Sequence, residues 1–288
     1  MKTARNILKV FTSRPTLEGA GVHLKRAFGN NEAPLFDPFL MLDDFRSDNP
    51  EHFIKGFPWH PHRGIETITY VLGGDVEHGD SMGNRGTISS GDVQWMTAGS
   101  GIIHQEMPKG DAGDVMQGFQ LWANLPASRK MMDPRYRDVK AGQIPVVELE
   151  GGAEVRVICG VAGNTEGPVR DIVTDPEYLD VTVPQGSKFE HQTKPGHTVI
   201  AYVISGNGYF DPRRATAIRN EGLVLFDAGE KVVVSTGDEP VRFLLLSGQP
   251  IGEPVAWYGP IVMNTQEELR VAFKEYDEGT FIKHRAAV

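Results

Sequence analysis

The sequence has little cysteine and no long apolar run. Cys159 is the single cysteine among 288 residues, which excludes an intramolecular disulfide. The first residues lack the uninterrupted apolar core of a signal peptide, and no later segment approaches about twenty apolar residues without a charge. We therefore expect a cytoplasmic protein, or a nuclear one in a eukaryotic cell.

Basic residues are outnumbered by acidic ones. The chain has 29 Lys and Arg against 38 Asp and Glu, which gives a net charge of -9 at pH 7. This balance provides no positive field that would attract a nucleic acid or an anionic membrane surface. We expect no direct nucleic-acid or membrane partner, and we expect the chain to be a monomer.

Short apolar segments separated by turn residues run through most of the chain. Their spacing of roughly 8 to 12 residues is typical of an all-β sandwich or barrel. These segments include 67–72, 87–92, 102–106, 116–125 and 177–183. The length, together with an ordinary 40% hydrophobic content, predicts two domains. We place a first barrel at residues 1–132, a linker at 133–146 and a second barrel at 147–288.

Three segments depart from this rhythm. Residues 37–45 fit either a buried strand or a turn of helix. Residues 128–138 combine dense charge with a proline, which predicts a short helix and an irregular, solvated linker. A capping box at Thr265 and Glu268, followed by an apolar stripe, predicts a C-terminal helix that covers a barrel edge. Cys159 lies in an apolar run, so we expect a buried, inert thiol.

The most distinctive stretch runs from Gly56 to Glu106. It carries two pairs of potential metal ligands, His60 with His62 and His104 with Glu106. Residues two positions apart on a strand point to the same face. Imidazole and carboxylate ligands suit iron, nickel, manganese, cobalt, copper or zinc, and four such ligands leave coordination positions free. The pattern therefore predicts a metal site used for catalysis or small-ligand binding.

A second acidic residue, Glu66, competes with Glu106 for the role of carboxylate ligand. Each acid lies an even number of residues after the histidines that precede it, so on a strand it would point to the same face as they do. Spacing alone therefore does not choose between the two acids.

The second half of the chain repeats the β pattern of the first. Tyr70-Val-Leu-Gly-Gly74 aligns with Tyr202-Val-Ile-Ser-Gly206, at an offset of 132 residues. This offset replaces His60, His62 and Glu66 by Gln192, Lys194 and Thr198. Alignment of Gly229 with Gly91 places Arg242 and Leu244 opposite His104 and Glu106. We therefore expect a metal site in the first barrel and a metal-free second barrel.

Several motifs resemble those of the pirin family within the cupin superfamily. They lie at both ends of the chain: Asp37-Pro-Phe-Leu, His60-Pro-His-Arg-Gly-x-Glu-Thr, Gly91-Asp-Val-Gln-Trp-Met-Thr-Ala-Gly-x-Gly-Ile-x-His104-x-Glu106-Met-Pro, Gln120-Leu-Trp-x-Asn-Leu125 and Gly259-Pro-x-Val-Met-Asn-Thr265.

This resemblance implies an all-β bicupin of two antiparallel jelly-roll β-barrels, with a few short helices and a C-terminal helix. It implies one metal ion, iron(II) before nickel, manganese, cobalt, copper or zinc. The ligands would be His60, His62, His104 and Glu106. The general cupin scheme uses the acid of the first motif instead; with the pirin pattern, Glu66 becomes a pocket residue that orients a histidine or a substrate.

Pirin-like proteins resemble quercetin 2,3-dioxygenases, which implies cleavage of a flavonol with dioxygen and release of carbon monoxide. Glu106 or Glu66 would then be the general base. Phe57, Trp95 and Phe119 are candidates for an aromatic pocket wall. The alternative is a metal- and redox-dependent interaction protein, which regulates transcription or a metabolic enzyme without turnover.

Overall fold

The computed structural model describes residues 2–110 and 115–284. The chain divides into two compact units. The first unit comprises Arg14–Leu35, Phe39–Ala141 and Ile251–Val288, and the second unit comprises Met1–Ser13, Phe36–Pro38 and Gly142–Pro250.

Antiparallel strands make up most of both units. In chain order they are β1 (Ile7–Thr12), β2 (Arg14–Glu18), β3 (Val22–Phe28), β4 (Phe39–Asp44), β5 (Phe57–His62), β6 (Ile65–Gly73), β7 (Asp75–Asp80), β8 (Arg85–Ile88), β9 (Val93–Thr97), β10 (Ile102–Gly110), β11 (Gln117–Asn124), β12 (Arg135–Val139), β13 (Val146–Glu148), β14 (Glu154–Cys159), β15 (Val161–Ala162), β16 (Thr165–Glu166), β17 (Glu177–Val183), β18 (Lys188–Gln192), β19 (Thr198–Tyr209), β20 (Ala217–Arg219), β21 (Gly222–Phe226), β22 (Lys231–Ser235), β23 (Val241–Gly248), β24 (Ala256–Tyr258) and β25 (Ile261–Met263). The helices are α1 (Ala33–Phe36), α2 (Gln266–Asp277) and the 3-10 turns Pro50–His52 and Ala141–Gln143.

The first unit is a jelly-roll of two sheets. One sheet has the order β12-β9-β6-β11-β4-β3-β2, and the other has the order β5-β10-β7-β8. Apolar side chains from both sheets pack in shared clusters, such as Ile65 of β6 with Ile102 of β10, and Val71 of β6 with Val76 of β7. The burial of these side chains is the main force that holds the two sheets together.

The second unit repeats this design around one apolar core cluster. Its main sheet has the order β1-β21-β19-β23-β17-β14-β13, while β18 pairs with β22. Strand β21 is buried along its whole length, so its sequence is a continuous apolar run rather than an alternation. Phe189, Val232, Val234 and Phe243 belong to one buried cluster. The all-β jelly-roll fold predicted from the sequence is thus confirmed in both halves of the chain.

The strand pairing corrects one part of the comparison between the two halves. Strand β18 pairs with β22 in the way that β5 pairs with β10, so Val232 and Val233 face His191 and Glu190 where histidines meet in the first unit. Arg242 and Leu244 lie on β23, which pairs with β17 and β19 as β11 pairs with β4 and β6. The alignment of Gly229 with Gly91 was wrong because the two glycines precede strands that are not equivalent. Gly229 precedes β22, whereas Gly91 precedes β9, and the counterpart of β9 in the second unit is β21.

Local predictions have mixed outcomes. Residues 37–45 contain strand β4, and the capping box at Thr265 begins α2, as expected. Cys159 is buried and its thiol donates to the carbonyl of Pro176. The prediction of a short helix and irregular linker at 128–138 is wrong, because residues 135–139 form β12 and pair with β9. This five-residue edge strand has three charged residues and no strict alternation, so its sequence gives too weak a pattern to detect.

The domain limits 1–132, 133–146 and 147–288 remain a prediction. The two compact units differ from them at the chain ends, since β1 belongs to the second unit and α2 to the first. Within the described ranges, every helix is too short or too polar to cross a membrane.

A buried lysine joins three segments of the first unit. Lys130 is 1% exposed, and its ammonium group donates to Gly64 O at 2.9 Å, Asn124 Oδ1 at 2.7 Å and Val262 O at 3.1 Å. Burial lowers the pKa of Lys130 to about 8. The three acceptors belong to the turn between β5 and β6, the end of β11 and strand β25, so this one side chain fixes their relative positions.

We predict that Lys130→Ala lowers the free energy of unfolding by about 3 kcal/mol, because three buried acceptors lose their donor. Chemical denaturation monitored by tryptophan fluorescence measures the change. The control is Lys109→Ala, which removes an exposed pair with Glu77 and should change stability by less than about 0.5 kcal/mol. Equal effects of the two substitutions would contradict this role for Lys130.

Candidate metal centre

The pairing of β5 with β10 brings the predicted ligands together. The two strands are antiparallel, with His60 opposite His104 and His62 opposite Ile102. Along β10 the burial alternates, so His104 and Glu106 share the buried face as their spacing predicts. Opposite the segment from His104 to Glu106, strand β5 contains one extra residue. Such a β-bulge changes the direction of the side chains around it.

Three histidines converge in the first unit. His60, His62 and His104 each offer a ring nitrogen, and these nitrogens all lie within 4.8 Å of one another. The ring centroids are 4.4 to 5.0 Å apart. Among residues 2–110 and 115–284, this is the one group of three or more potential ligands that meets this distance.

Backbone carbonyls orient two of the three rings. His60 Nδ1 donates to Pro58 O at 2.8 Å, and His62 Nδ1 donates to Pro260 O at 3.0 Å. With the proton on Nδ1, each Nε2 carries a lone pair, and these two atoms are 3.1 Å apart. Two lone pairs this close repel each other unless a cation or a proton lies between them, so the geometry favours a shared metal ion.

The third histidine has no hydrogen-bond partner for either ring nitrogen, within the described residues. His104 is 1% exposed, and a buried polar group without a partner is costly. The pKa of His104 is held well below its usual range, first by burial and then by the neighbouring His60. The pKa of His62 is lowered in the same way by burial, His60 and His104. Both rings are neutral at physiological pH, which is the form that binds metals.

These observations fit a divalent transition metal. The donors are imidazole nitrogens, two rings have the correct tautomer, and the third has an orphaned nitrogen that an ion would satisfy. The three histidines predicted from the sequence are therefore brought together by the fold.

Glu106 lies two residues beyond His104 on the buried face of β10, but it is not among the converging ligands. Glu106 is 4% exposed. Thr69 Oγ1 donates to its Oε1 at 2.9 Å, and Gln120 Nε2 donates to its Oε2 at 3.1 Å. Its role as the fourth ligand stays a prediction.

Glu66 lies elsewhere. The strand breaks at Gly64, where φ is 79°, so parity counted from His62 does not carry into β6. Glu66 accepts from Thr97 Oγ1 at 2.6 Å and lies 3.9 Å from Arg135. Burial raises the pKa of Glu66. Glu66 and Thr69 are three positions apart on a regular stretch of β6, so they point to opposite faces of that sheet. Thr69 is on the face that points towards β10, where it donates to Glu106, and Glu66 is on the other face.

A row of polar side chains crosses the larger sheet on the face of Thr69. Direct cross-strand neighbours share a face, and six successive neighbours are polar. In spatial order they are Arg26, Asp43, Gln120, Thr69, Gln94 and Asp138. Glu106 joins this row at its centre through Thr69 and Gln120.

A cavity of about 570 Å³ opens onto two of the three histidines. Its lining includes His60, His62, Gln120 and the aromatic residues Phe57, Trp59, Trp122 and Trp257. This volume is within the range of roughly 300 to 1,000 Å³ that is usual for small-molecule sites. Trp122 also packs edge-on against His62, with ring centroids 5.0 Å apart.

The predicted pocket wall is thus correct at one position of three. Phe57 lines the cavity, whereas Trp95 and Phe119 are buried side chains that do not line it. Reasoning from the sequence missed the tryptophans of the cavity and Pro260. A proline without an N–H offers only its carbonyl, and no local pattern shows that residue 260 returns to His62.

Two family models match the chain: "Pirin" over residues 21–123 and "Pirin C-terminal cupin domain" over residues 178–282. The chain belongs to the pirin family.

Relatives extend this finding over nearly the whole chain. A pirin-like protein of Caulobacter vibrioides is 44% identical and aligns with 96% of this chain and 99% of its own length. A Pseudomonas aeruginosa protein provisionally named quercetin 2,3-dioxygenase is 42% identical and aligns with 97% and 99%. The crystal structure of a quercetin 2,3-dioxygenase from Acinetobacter baumannii has a TM-score of 0.86 at 30% identity and covers 96% of this chain and 98% of that one.

We predict that Glu106→Gln removes most of the bound metal from this pirin, because an amide is a weaker ligand than a carboxylate. Glu66→Gln should leave the metal content unchanged, since Glu66 lies on the other face of β6. Elemental analysis of purified protein gives the metal stoichiometry of each variant. The opposite pattern of stoichiometries would refute this assignment.

We also predict that Gln120→Leu weakens metal binding by roughly tenfold to a hundredfold, the usual effect of losing a group that orients a ligand. The matched control is Gln94→Leu, which changes the same row at a glutamine that donates to Asp138 rather than to Glu106. Competition with a fluorescent chelator measures both dissociation constants. Equal losses in the two variants would mean that Gln120 acts only through general packing.

Proposed function

We propose that this pirin is a mononuclear metal-dependent dioxygenase that cleaves a flavonol such as quercetin and releases carbon monoxide. The observation that carries the proposal is the convergence of three histidines, two of which line an aromatic-walled cavity of about 570 Å³. The likeness to the Acinetobacter baumannii enzyme supports the same reaction class. We expect iron(II) as the metal, with nickel, manganese, cobalt, copper or zinc as alternatives that the same ligands accept.

The proposed ligands are His60, His62, His104 and Glu106. A metal ion held by them would lower the pKa of a bound substrate hydroxyl and so activate the ring towards dioxygen. One flavonol and one dioxygen then give one ester product and one carbon monoxide.

The side chains around the site would have distinct tasks. Glu106 shares the buried face of β10 with His104 and its carboxylate is held by Thr69 and Gln120; in this proposal it accepts the proton of the substrate hydroxyl. Glu66 was the other candidate base, and its position on the opposite face of β6 favours Glu106. The aromatic side chains of the cavity would hold the planar rings of a flavonol by stacking and apolar contact.

A second function has a specific observation in its favour. Pro260 accepts the hydrogen bond of His62, and its near neighbour Tyr258 is 70% exposed. A change in the metal or its oxidation state could therefore alter the surface around Tyr258. On this alternative, the chain is a metal-dependent interaction protein that binds a transcription factor or a metabolic enzyme, and turnover is absent.

We predict that protein loaded anaerobically with iron(II) consumes quercetin when dioxygen is added, with one carbon monoxide released per flavonol. Loss of the flavonol absorbance band and a carbon monoxide trap measure the two quantities. His104→Ala is the control, and it should abolish both signals because one of three histidine ligands is missing. Absence of turnover with iron, nickel, manganese, cobalt and copper would reject the enzyme and favour the interaction protein.

A further inference from the structure

One edge of the cavity is polar. Besides its aromatic residues, the cavity is lined by Glu18, Arg26, Asn30 and Asp43. Aromatic walls bind any flat apolar molecule, so they do not distinguish one flavonol from another. A charged pair in the same wall can make that distinction, because it interacts only with polar groups at a fixed place on the ligand.

Arg26 and Asp43 form a two-pronged ion pair. Arg26 Nε donates to Asp43 Oδ1 at 2.8 Å, and Arg26 Nη2 donates to Asp43 Oδ2 at 2.7 Å. The remaining terminal nitrogen of Arg26 lies 2.9 Å from Glu18 Oε1. The guanidinium group is thereby held by two carboxylates, and it fixes the orientation of the Asp43 side chain.

Asp43 can accept a further hydrogen bond. Each carboxylate oxygen has two lone-pair directions, and Arg26 uses one on each oxygen. Burial raises the pKa of Asp43 to about 6, which leaves the group ionised at neutral pH. Its side chain is 4% exposed, so an acceptor is present in the wall with little competition from bulk water.

The position of Asp43 relates it to the metal site. Asp43 of β4 is the direct neighbour of Gln120 on β11, and Gln120 donates to Glu106. Direct neighbours on antiparallel strands have Cβ atoms roughly 5 Å apart. A ligand in the cavity can therefore reach the histidines with one part and Asp43 with another.

We propose that Asp43, oriented by Arg26, accepts a hydrogen bond from a hydroxyl group on the part of the substrate that does not contact the metal. This makes Asp43 a specificity residue, and the favoured ligands are flavonols that carry hydroxyl groups on the pendant ring. The inference rests on the proposed function, since it assumes that a flavonol occupies the cavity.

Zinc-loaded protein without dioxygen separates binding from turnover. Two probes are compared: quercetin, which has two hydroxyl groups on its pendant ring, and galangin, which has none. Quenching of the cavity tryptophans gives the dissociation constant of each complex. The native protein should bind quercetin about tenfold to a hundredfold more tightly, which is the discrimination that one hydrogen bond to a charged group provides.

Asp43→Asn should reduce the preference for quercetin to less than about threefold, because an amide that is turned by Arg26 is a weaker acceptor than a carboxylate. Asp44→Asn is the matched control. Asp44 is the next residue on β4, is equally buried and is paired with Arg46, yet it does not line the cavity. It should keep the native preference. Thermal denaturation shows whether both variants are folded. If Asp43→Asn is unfolded, Arg26→Gln is the second test, because it removes the group that orients Asp43, and it should reduce the preference in the same way.

The outcomes separate this inference from the proposed function. If both flavonols bind and Asp43→Asn keeps the preference of the native protein, the role of Asp43 is wrong while the dioxygenase proposal stands. If native protein binds the two flavonols equally, the role of Asp43 is likewise wrong. If neither flavonol binds the native protein, the proposed function fails, and the inference fails with it.

Discussion

The candidate metal site depends on one antiparallel pairing, that of β5 with β10. This pairing sets His60 opposite His104 and carries His62 and Glu106 on the same two strands. The two strands belong to the smaller sheet of the first unit, and that sheet is anchored by apolar packing against the larger one. A shift of the pairing by one residue would turn the ligands to the opposite face. The apolar core therefore fixes the register that brings the three histidines together.

Two buried cations reinforce this register from outside the site. Lys130 binds the carbonyl of Gly64, directly after the His-x-His strand, and Arg63 donates to Ser100 O, before the strand that bears His104. Arg63 also pairs with Glu275 and donates to Phe281 O, so the C-terminal segment is tied to both ligand-bearing strands. Removal of either Lys130 or Arg63 would leave buried acceptors without a hydrogen-bond donor. These charged side chains are therefore retained although they are only 1–2% exposed.

The sequence predicts much of this fold because its signals are local. The regular spacing of short apolar segments identifies the jelly-roll strands. The i, i+2 spacing of potential ligands identifies three histidines that do converge. Other features depend on contacts between residues far apart in the chain. The carbonyl of Pro260 reaches His62 across 198 positions, and the row from Arg26 to Asp138 exists only after six strands have paired. The prediction that Glu66 shares a face with the histidines before it failed because the chain turns at Gly64, between β5 and β6. A count of residues does not reveal this break.

The two units show how one fold can support different interiors. At the place where His60 faces His104 in the first unit, the second unit has β18 against β22, with Val232 and Val234 buried beside Phe189. An apolar interior needs no partner for its side chains, whereas a polar interior needs a partner for each group. In the first unit, hydrogen bonds to Glu106 and Asp43 meet part of that requirement, and a metal ion would satisfy His104. The polar row and the histidines therefore belong to one polar interior, in which each buried group needs either a protein partner or a ligand.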